Sequence, residues 1–188
     1  MLLTKKFTLP TFFFILALIP SATAYPEGWL NDTLIVDNGP SFSLNNPNNA
    51  IDREGNLHIT WADERNGHSE LYYKKLNSQG RNVTGDIRIT FSSNTPSSSN
   101  FMHSLALDDN GNVHITWIDY RDTTSSGELY YKKLDNNGVS LSTETRLTFD
   151  PANAWHPEIT TSHGKNANVH IVWADNRNGN EAVYYTRL

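Results

Sequence analysis

The stretch Gly111-Asn112-Val113-His114-Ile115-Thr116-Trp117-Ile118-Asp119-Tyr120-Arg121 decides the fold, because the chain contains it in three related copies. The other copies occupy residues 55–65 and 167–177, and consecutive copies are 56 residues apart in both intervals. A constant period of this size indicates a repeat architecture. Each copy is centred on a tryptophan, namely Trp61, Trp117 and Trp173.

Each repeat predicts four short β-strands. In residues 57–61 apolar side chains alternate with polar ones, which is the two-residue period of a strand. This segment is the second strand of its repeat, and turns rich in Asn, Asp and Gly precede it, as hairpins require. The predicted first strands are residues 48–52, 104–108 and 158–162; the third strands, which contain Tyr-Tyr, are 70–76, 128–134 and 181–188; the fourth strands are 86–91 and 144–149.

Four antiparallel strands in each repeat predict an all-β fold built of β-propeller blades. The pattern Trp-x-Asp-x-Arg, followed by Tyr-Tyr-Lys-Lys-Leu and by Arg-Leu-Thr, resembles the repeats of sialidase-like (BNR-type) propellers and, more loosely, those of TolB-like propellers. The resemblance covers nearly all of residues 41–188. We therefore expect three four-stranded antiparallel blades, at about residues 41–91, 97–149 and 153–188, in a partial propeller or half of a six-bladed ring.

Residues 1–24 have the three parts of a secretory signal peptide. Lys5 and Lys6 supply positive charge, residues 7–19 are a short apolar run, and Ala22-Thr23-Ala24 is a small-residue cleavage site. The run is shorter than the roughly 20 apolar residues that span a bilayer. We expect export of residues 25–188 to the cell surface or the medium, with no membrane segment after cleavage; an uncleaved signal anchor is the alternative.

The exported part is acidic and has no cysteine. Without Lys5 and Lys6 the formal charge goes from −5 to −7, and no basic cluster remains, which argues against nucleic acid as a partner. Because there is no cysteine, packing rather than disulfides must stabilise the exported chain. No motif predicts a cofactor.

The number of strands predicts how the propeller closes. The sequence ends at Leu188, directly after the third strand of the last repeat, so we expect this repeat to lack a fourth strand. Residues 32–37, before the first repeat, have the register and composition of a fourth strand. Propellers usually close with four to eight blades, so three blades leave edges exposed. We expect a homodimer in which each 32–37 strand completes the partner's last blade and forms a six-bladed ring. An open arc derived from a longer repeat protein is the alternative.

Residues that recur in every repeat are predicted to be scaffold, because a single active site needs unlike residues from different blades. The recurring Asp and Arg stand two residues apart and can tie a loop or a neighbouring blade by charge-assisted hydrogen bonds. The sialidase-like resemblance implies another role, an arginine cluster that holds a sugar carboxylate. The pairs are Asp63 and Arg65, Asp119 and Arg121, and Asp175 and Arg177.

The recurring histidines and one acidic turn raise the question of a metal. His58, His114 and His170 hold equivalent positions, which diverge around a propeller axis instead of converging on one zinc ion. We expect hydrogen bonds between blades for them. Residues 108–112 have oxygen atoms at a spacing that suits calcium, but they lack the bidentate Glu of an EF-hand and fit a hairpin turn. No metal site is predicted.

Features present in one copy only are the candidates for binding. Two of them precede a first strand, where propeller chains enter the inner rim, and a third begins the elongated loop at residues 120–127. Aromatic rings beside titratable donors are suited to binding sugars, although Trp155 can also be wedged between blades. Loops on a rigid scaffold often carry binding residues. The candidates are Phe101, His103, Trp155, His156 and Tyr120, together with the recurring Arg121 beside Tyr120 in that loop.

The sequence favours a binding function over a catalytic one. An enzyme gathers unlike acids, a nucleophile and a substrate clamp at one place, whereas the acids and arginines here recur identically. We expect a non-catalytic surface module that binds a glycan or a cell-surface protein. The alternative is a sialidase-like glycosidase or a polysaccharide lyase, and a decayed fragment without a function of its own is a third hypothesis.

Overall fold

The chain forms an all-β array of propeller blades. The computed structural model describes residues 32–37, 44–91, 102–122, 126–164 and 168–188. Within these ranges the secondary structure consists of eleven strands and no helix, so no helix that could span a membrane is found there. The proposed signal peptide, residues 1–24, and Phe101 lie outside the described residues.

The strands group into three antiparallel sheets, one for each repeat, and confirm the predicted fold class. In each sheet the strands lie in chain order, and the third sheet has three strands instead of four. Blade 1 comprises β1 (Leu44–Ile51), β2 (Leu57–Asp63), β3 (Glu70–Leu76) and β4 (Ile87–Arg88); blade 2 comprises β5 (His103–Leu107), β6 (Val113–Asp119), β7 (Glu128–Leu134) and β8 (Thr145–Arg146); blade 3 comprises β9 (Ala154–Thr161), β10 (Val169–Asp175) and β11 (Ala182–Arg187).

The first strand of a blade begins earlier than the alternation predicts. In blade 1 the strand starts at Leu44, and in blade 3 at Ala154, four residues before the predicted starts. Each strand contains a shift of register at a bulge, where Asn46 and His156 adopt φ values of 51° and 50°. A bulge inserts a residue and breaks the two-residue period, which hides the beginning of the strand from the sequence pattern.

The core lies between neighbouring blades. One cluster joins blade 1 to blade 2 and includes Leu71, Tyr73 and Trp117. A second cluster joins blade 2 to blade 3 and includes Ile118, Leu129 and the third tryptophan, Trp173. The recurring tryptophans are therefore core residues, each stacked on a tyrosine of the adjacent strand with ring centroids 5.8 to 5.9 Å apart.

Polar contacts also connect blades 1 and 2. The Nζ atom of Lys75 donates to Oδ1 of Asn136 at 2.6 Å, and Nζ of Lys132 donates to the carbonyl of Ile89 at 2.7 Å. Gly138 has a φ of 84°, and a Cβ atom there would lie 2.6 Å from Cδ1 of Ile87. The outer turn of blade 2 thus presses directly against blade 1.

Candidate functional site

The recurring Asp and Arg form the same hydrogen-bonded unit in each blade. The carboxylate of Asp63 accepts from the indole Nε1 of Trp61 at 3.0 Å and from Nε of Arg65 at 2.8 Å. The Arg65 guanidinium also reaches Asp86 in the loop before β4, at 2.8 Å. Blade 2 repeats this unit with Asp119, Arg121 and Glu144. In blade 3, Asp175 accepts from Trp173 and from Nη2 of Arg177, and Arg177 pairs with Asp150 in the connection before β9.

These units stay within one repeat and its own connections, so they tie the loop between the second and third strands. The carboxylates of Asp63, Asp119 and Asp175 each also accept from the backbone N–H of the arginine two residues on, at 2.8 to 2.9 Å. Each guanidinium also lies over a tyrosine ring, 4.3 to 4.7 Å from its centroid. The geometry suits anchoring of the loop, and the role of these arginines toward a ligand stays a prediction.

The recurring histidines correct one expectation, because their hydrogen bonds lie within a blade and not between blades. Nδ1 of His58 pairs with the hydroxyl of Tyr73 at 2.8 Å, and Nε2 lies 3.2 Å from Asp52. Burial lowers the pKa of His58. The reason is the register: His58 is opposite Lys75 on β3, which places its ring between Tyr73 and the turn of its own sheet. His114 and His170 make the equivalent bond to Tyr131 and Tyr185.

The acidic turn at residues 108–112 is closed by its own side chains. The carboxylate of Asp108 accepts from the backbone N–H groups of Asn110 and Asn112, both at 2.9 Å, and from the Asn112 side chain at 2.8 Å. Burial raises the pKa of Asp108, but these bonds and that from His114 outweigh it and hold the pKa at about 2. Among the described residues no three side chains are grouped as metal ligands.

The single-copy candidates separate into two groups. Tyr120 is half-buried and packs against the core between blades 2 and 3, and Arg121 belongs to the unit of blade 2. Trp155 is half-buried on β9, opposite Ala174. Only His103 and His156 are brought together, in a depression at the innermost strands. Ligand binding by any of the candidates stays a prediction.

This depression, which we call the axial depression, has a volume of about 390 Å³. It lies where the first strands of the three blades run side by side, and it includes the two bulges of blades 1 and 3. Its lining comes from all three blades: Asn46, Pro47, Asn48, Met102, His103, His156, Pro157 and Glu158.

The axial depression combines unlike residues at equivalent positions of the repeats. By strand register, Asn46 corresponds to Met102 and His156, and Asn48 corresponds to Ser104 and Glu158. The hydroxyl of Ser104 donates to Oε2 of Glu158 at 2.9 Å, which orients this carboxylate from the neighbouring blade. The repeats therefore lose their similarity at the place where their inner strands meet.

Sequence reasoning did not name six of the eight lining residues as candidates: Asn46, Pro47, Asn48, Met102, Pro157 and Glu158. Asn46 and Pro47 lie before the predicted first strand of blade 1, because the bulge hides where that strand begins. Asn48 and Glu158 were predicted as strand residues and not as site residues. A signal was present nevertheless. An alignment of the three repeats through the first strand shows that these positions differ while the following strand is nearly identical.

Comparison with known proteins establishes the fold. No protein-family model matches the chain, and no curated protein matches it in sequence. Among solved structures, an endo-arabinase from Bacteroides thetaiotaomicron VPI-5482 is similar with a TM-score of 0.51 and 13% identity, over 77% of this chain and 56% of its own. An α-L-arabinanase from Penicillium chrysogenum, complexed with arabinobiose, has a TM-score of 0.51 and 15% identity, over 78% and 45%.

The chain thus spans about half the length of these two proteins. Both are β-propeller proteins, and identities of 13 to 15% establish a common fold alone. The sialidase-like resemblance of the repeats stays a prediction. The three sheets, their chain-order pairing and these neighbours together identify the chain as a set of β-propeller blades.

Proposed function

We propose that the chain is an exported propeller module that binds a carbohydrate in the axial depression without cleaving it. The observation that carries this proposal is the convergence of unlike polar residues from three blades in one depression, beside scaffold residues that are identical from blade to blade. A single ligand site on a repeat protein requires such a departure from the repeat.

The chemistry of the lining suits a polyhydroxylated ligand. The side-chain amides of Asn46 and Asn48 can each donate to and accept from hydroxyl groups, and the Glu158 carboxylate accepts them. Pro47 and Pro157 offer apolar surfaces for the C–H face of a sugar ring. The volume of about 390 Å³ lies in the range of small-molecule sites, roughly 300 to 1,000 Å³.

Strain at the bulges supports a functional role for this place. Asn46 and His156 both have positive φ values, and a non-glycine residue in such a conformation costs on the order of 1 to 3 kcal/mol. Backbone strain of this kind is concentrated at binding and catalytic sites. In both blades the bulge places the strained residue and the following proline at the depression.

The arabinanase neighbours support a carbohydrate as the ligand class and arabino-oligosaccharides as the first probes. The lining supports binding without hydrolysis. Glycoside hydrolysis ordinarily uses two carboxylates on opposite sides of the scissile bond. Among the described residues that line the depression, Glu158 alone supplies a carboxylate.

The proposal is tested by calorimetric titration of the exported chain with arabinobiose, followed by a glycan array and an assay of reducing-end release. We expect saturable binding, no release of sugar, and a weakening of roughly 10- to 100-fold in Glu158→Gln, because a charged hydrogen bond contributes roughly 1.5 to 3 kcal/mol. His163→Ala is the control, since His163 is exposed beyond the other end of β9.

Two results would contradict the proposal. Failure to bind any glycan of the array, or equal affinity of Glu158→Gln and the unaltered chain, would remove the carbohydrate site. If the unaltered chain releases reducing ends and Glu158→Gln does not, the function is glycoside hydrolysis and not binding alone.

A further inference from the structure

The outer edge of blade 3 differs from the outer edges of the other two blades. In blades 1 and 2 the third strand pairs with a fourth strand, whereas β11 pairs only with β10 among the described strands. Leu71 and Leu129 of the third strands have no exposed surface and accept backbone hydrogen bonds from Ile89 and Leu147, both at 2.7 Å. Val183, at the same position of β11, is 80% exposed.

The fourth strands of blades 1 and 2 are held by a common set of polar contacts. In blade 1, Asp86 pairs with Arg65, while Arg88 pairs with the fully buried Glu70 at 2.6 Å. Thr90 accepts from the backbone N–H of Leu71 and donates to the Glu70 carboxylate. Blade 2 has the same set, formed by Glu144 with Arg121, by Arg146 with Glu128, and by Thr148 with Leu129 and Glu128.

In blade 3 the buried glutamate of this set is replaced by Ala182. Asp63 faces Glu70, Asp119 faces Glu128, and Asp175 faces Ala182 in the antiparallel register. A strand added to β11 therefore meets no carboxylate at this position. An arginine or a threonine on the added strand would have no glutamate to pair with. Arg177 is retained and pairs with Asp150 at 3.1 Å, so the acid that begins the fourth strand would share this guanidinium with Asp150.

Residues 32–37 have the sequence that this altered edge requires. Asp32 corresponds to Asp86 and Glu144, and Ile35 corresponds to the buried Ile89 and to Leu147. Leu34 replaces the arginine and Val36 replaces the threonine, and these two replacements match the loss of the glutamate at Ala182. The glutamate, the arginine and the threonine of the other blades are thus all replaced by apolar residues, namely Ala182, Leu34 and Val36. Residues 32–37 form no strand in the structure, and Leu34 is 77% exposed.

We propose that residues 32–37 of a second copy of this chain add to β11 as the fourth strand of blade 3. The order of the blades favours a second copy over the same chain. Residues 32–37 precede blade 1 in the chain, and β1, β5 and β9 lie side by side in that order, so blade 1 and blade 3 are at opposite ends of the row.

The surface around β11 is suited to being covered. Val172, Val183 and Tyr185 are exposed on blade 3, whereas their counterparts Thr116, Leu129 and Tyr131 in blade 2 are buried or half-buried against the next blade. If residues 32–37 of each chain complete blade 3 of the other chain, the two contacts are identical and the assembly closes with two-fold symmetry. Backbone hydrogen bonds would supply affinity and the apolar set would supply specificity, as in other cases of strand addition.

The first test is the mass of the exported chain in solution by light scattering. We expect the mass of two chains, and a loss of association of roughly 100-fold or more in Ala182→Glu, because the new carboxylate faces Leu34 and Val36 without a partner. Adding Leu34→Arg and Val36→Thr to Ala182→Glu recreates the set of blades 1 and 2 and should restore the two-chain mass. Val83→Glu is the control, since Val83 is exposed on blade 1.

The second test asks which chain supplies the strand. Tyr131 pairs with Thr145 in blade 2, so Thr33 should lie opposite Tyr185. The chain has no cysteine of its own, and a chain with Thr33→Cys can therefore be mixed with a tagged chain carrying Tyr185→Cys and oxidised. We expect a mixed disulfide dimer in greater yield than with Val139→Cys as the tagged control.

The proposal is overturned by a single-chain mass of the unaltered protein, by failure of the triple substitution to restore association, or by equal cross-linking of the control. It is also overturned if the disulfide forms only inside one chain that carries both Thr33→Cys and Tyr185→Cys. Circular dichroism of every variant separates loss of association from loss of folding.

Discussion

Blades 2 and 3 place nearly identical segments in different surroundings. Both have a Trp-x-Asp-x-Arg segment on the second strand and a Tyr-Tyr pair on the third, and the tryptophans stack on tyrosines in the same way. Leu129 of blade 2 has no exposed surface, whereas Val183 of blade 3 is 80% exposed. A recurring residue therefore keeps its local contacts, but its contribution to stability depends on whether a fourth strand and a further blade cover it.

The largest expected effect comes from truncating the covered side chain. Leu129→Ala should lower the free energy of unfolding by about 2 to 5 kcal/mol, because a cavity remains between blades 2 and 3. Val183→Ala should lower it by less than about 0.5 kcal/mol in the separated chain, as is usual for exposed positions. Urea unfolding at several protein concentrations measures both values.

The dependence on protein concentration separates what Val183 contributes to the stability of the single chain from what it contributes to association. If a second copy covers this residue, the effect of Val183→Ala grows with protein concentration, because association stabilises the folded chain. Equal losses for the two variants in the separated chain would contradict the comparison of blades.

The buried glutamate of blade 2 gives the next largest effect. Glu128→Ala introduces the residue of blade 3 and leaves Arg146 and Thr148 without their buried partner, so we expect a loss of about 2 to 3 kcal/mol, below the range for fully buried pairs because Arg146 is partly exposed. Adding Arg146→Leu and Thr148→Val converts the whole set to the apolar form and should recover most of the loss. Thermal unfolding measures the stability of both variants. A triple variant that is less stable than Glu128→Ala would contradict the prediction.

The tyrosine that binds the recurring histidine provides a smaller contrast. Tyr73→Phe leaves Nδ1 of the fully buried His58 without its hydroxyl partner and should cost about 1 to 2 kcal/mol. Tyr185→Phe removes the same bond at an exposed site and should cost less than about 0.5 kcal/mol in the separated chain. Chemical unfolding of both variants tests the contrast, and equal costs would refute it.

The smallest effect concerns pH. The pKa of Asp108 is about 2 in the folded chain and roughly 3.9 in an unfolded one, so its stabilisation is present above about pH 4 and is lost as the pH falls through 2. Blade 3 has Ser162 at this position of its turn, where its hydroxyl accepts from Asn168. Asp108→Ser should therefore lose less stability than the unaltered chain between pH 5 and pH 2. Parallel stability curves over this interval would contradict the assignment.

The repeat made the scaffold predictable. The period of 56 residues and the alternation in each copy were sufficient to predict three sheets, and the recurring Trp117 is a core residue of the structure. The bonding of His58 was predicted to the wrong neighbour, because sequence alternation shows which face a side chain occupies but not how far along the strand its partner lies. The register of β2 with β3 determines that distance.

The candidate site was only half predictable for a related reason. His103 and His156 were recognised because they interrupt the repeat, and both line the axial depression. Asn46 was missed because the bulge hides the beginning of β1, whereas Glu158 was placed on a first strand but given no role there. Long-range convergence of side chains from three blades depends on that register, which local alternation does not encode.

The close approach at Gly138 has a consequence for how such a chain can grow. The turn that contains Gly138 meets Tyr73 and Ile87 of blade 1, and Asn136 of the same turn accepts a hydrogen bond from Lys75. Blade 2 carries a tyrosine and a lysine at the corresponding positions, Tyr131 and Lys133. A duplicated copy of blade 2 would therefore fit behind the original, whereas blade 1, with Ser78 in place of Asn136, would not supply the same acceptor. Gene duplication can lengthen this array from its middle repeat more readily than from its first.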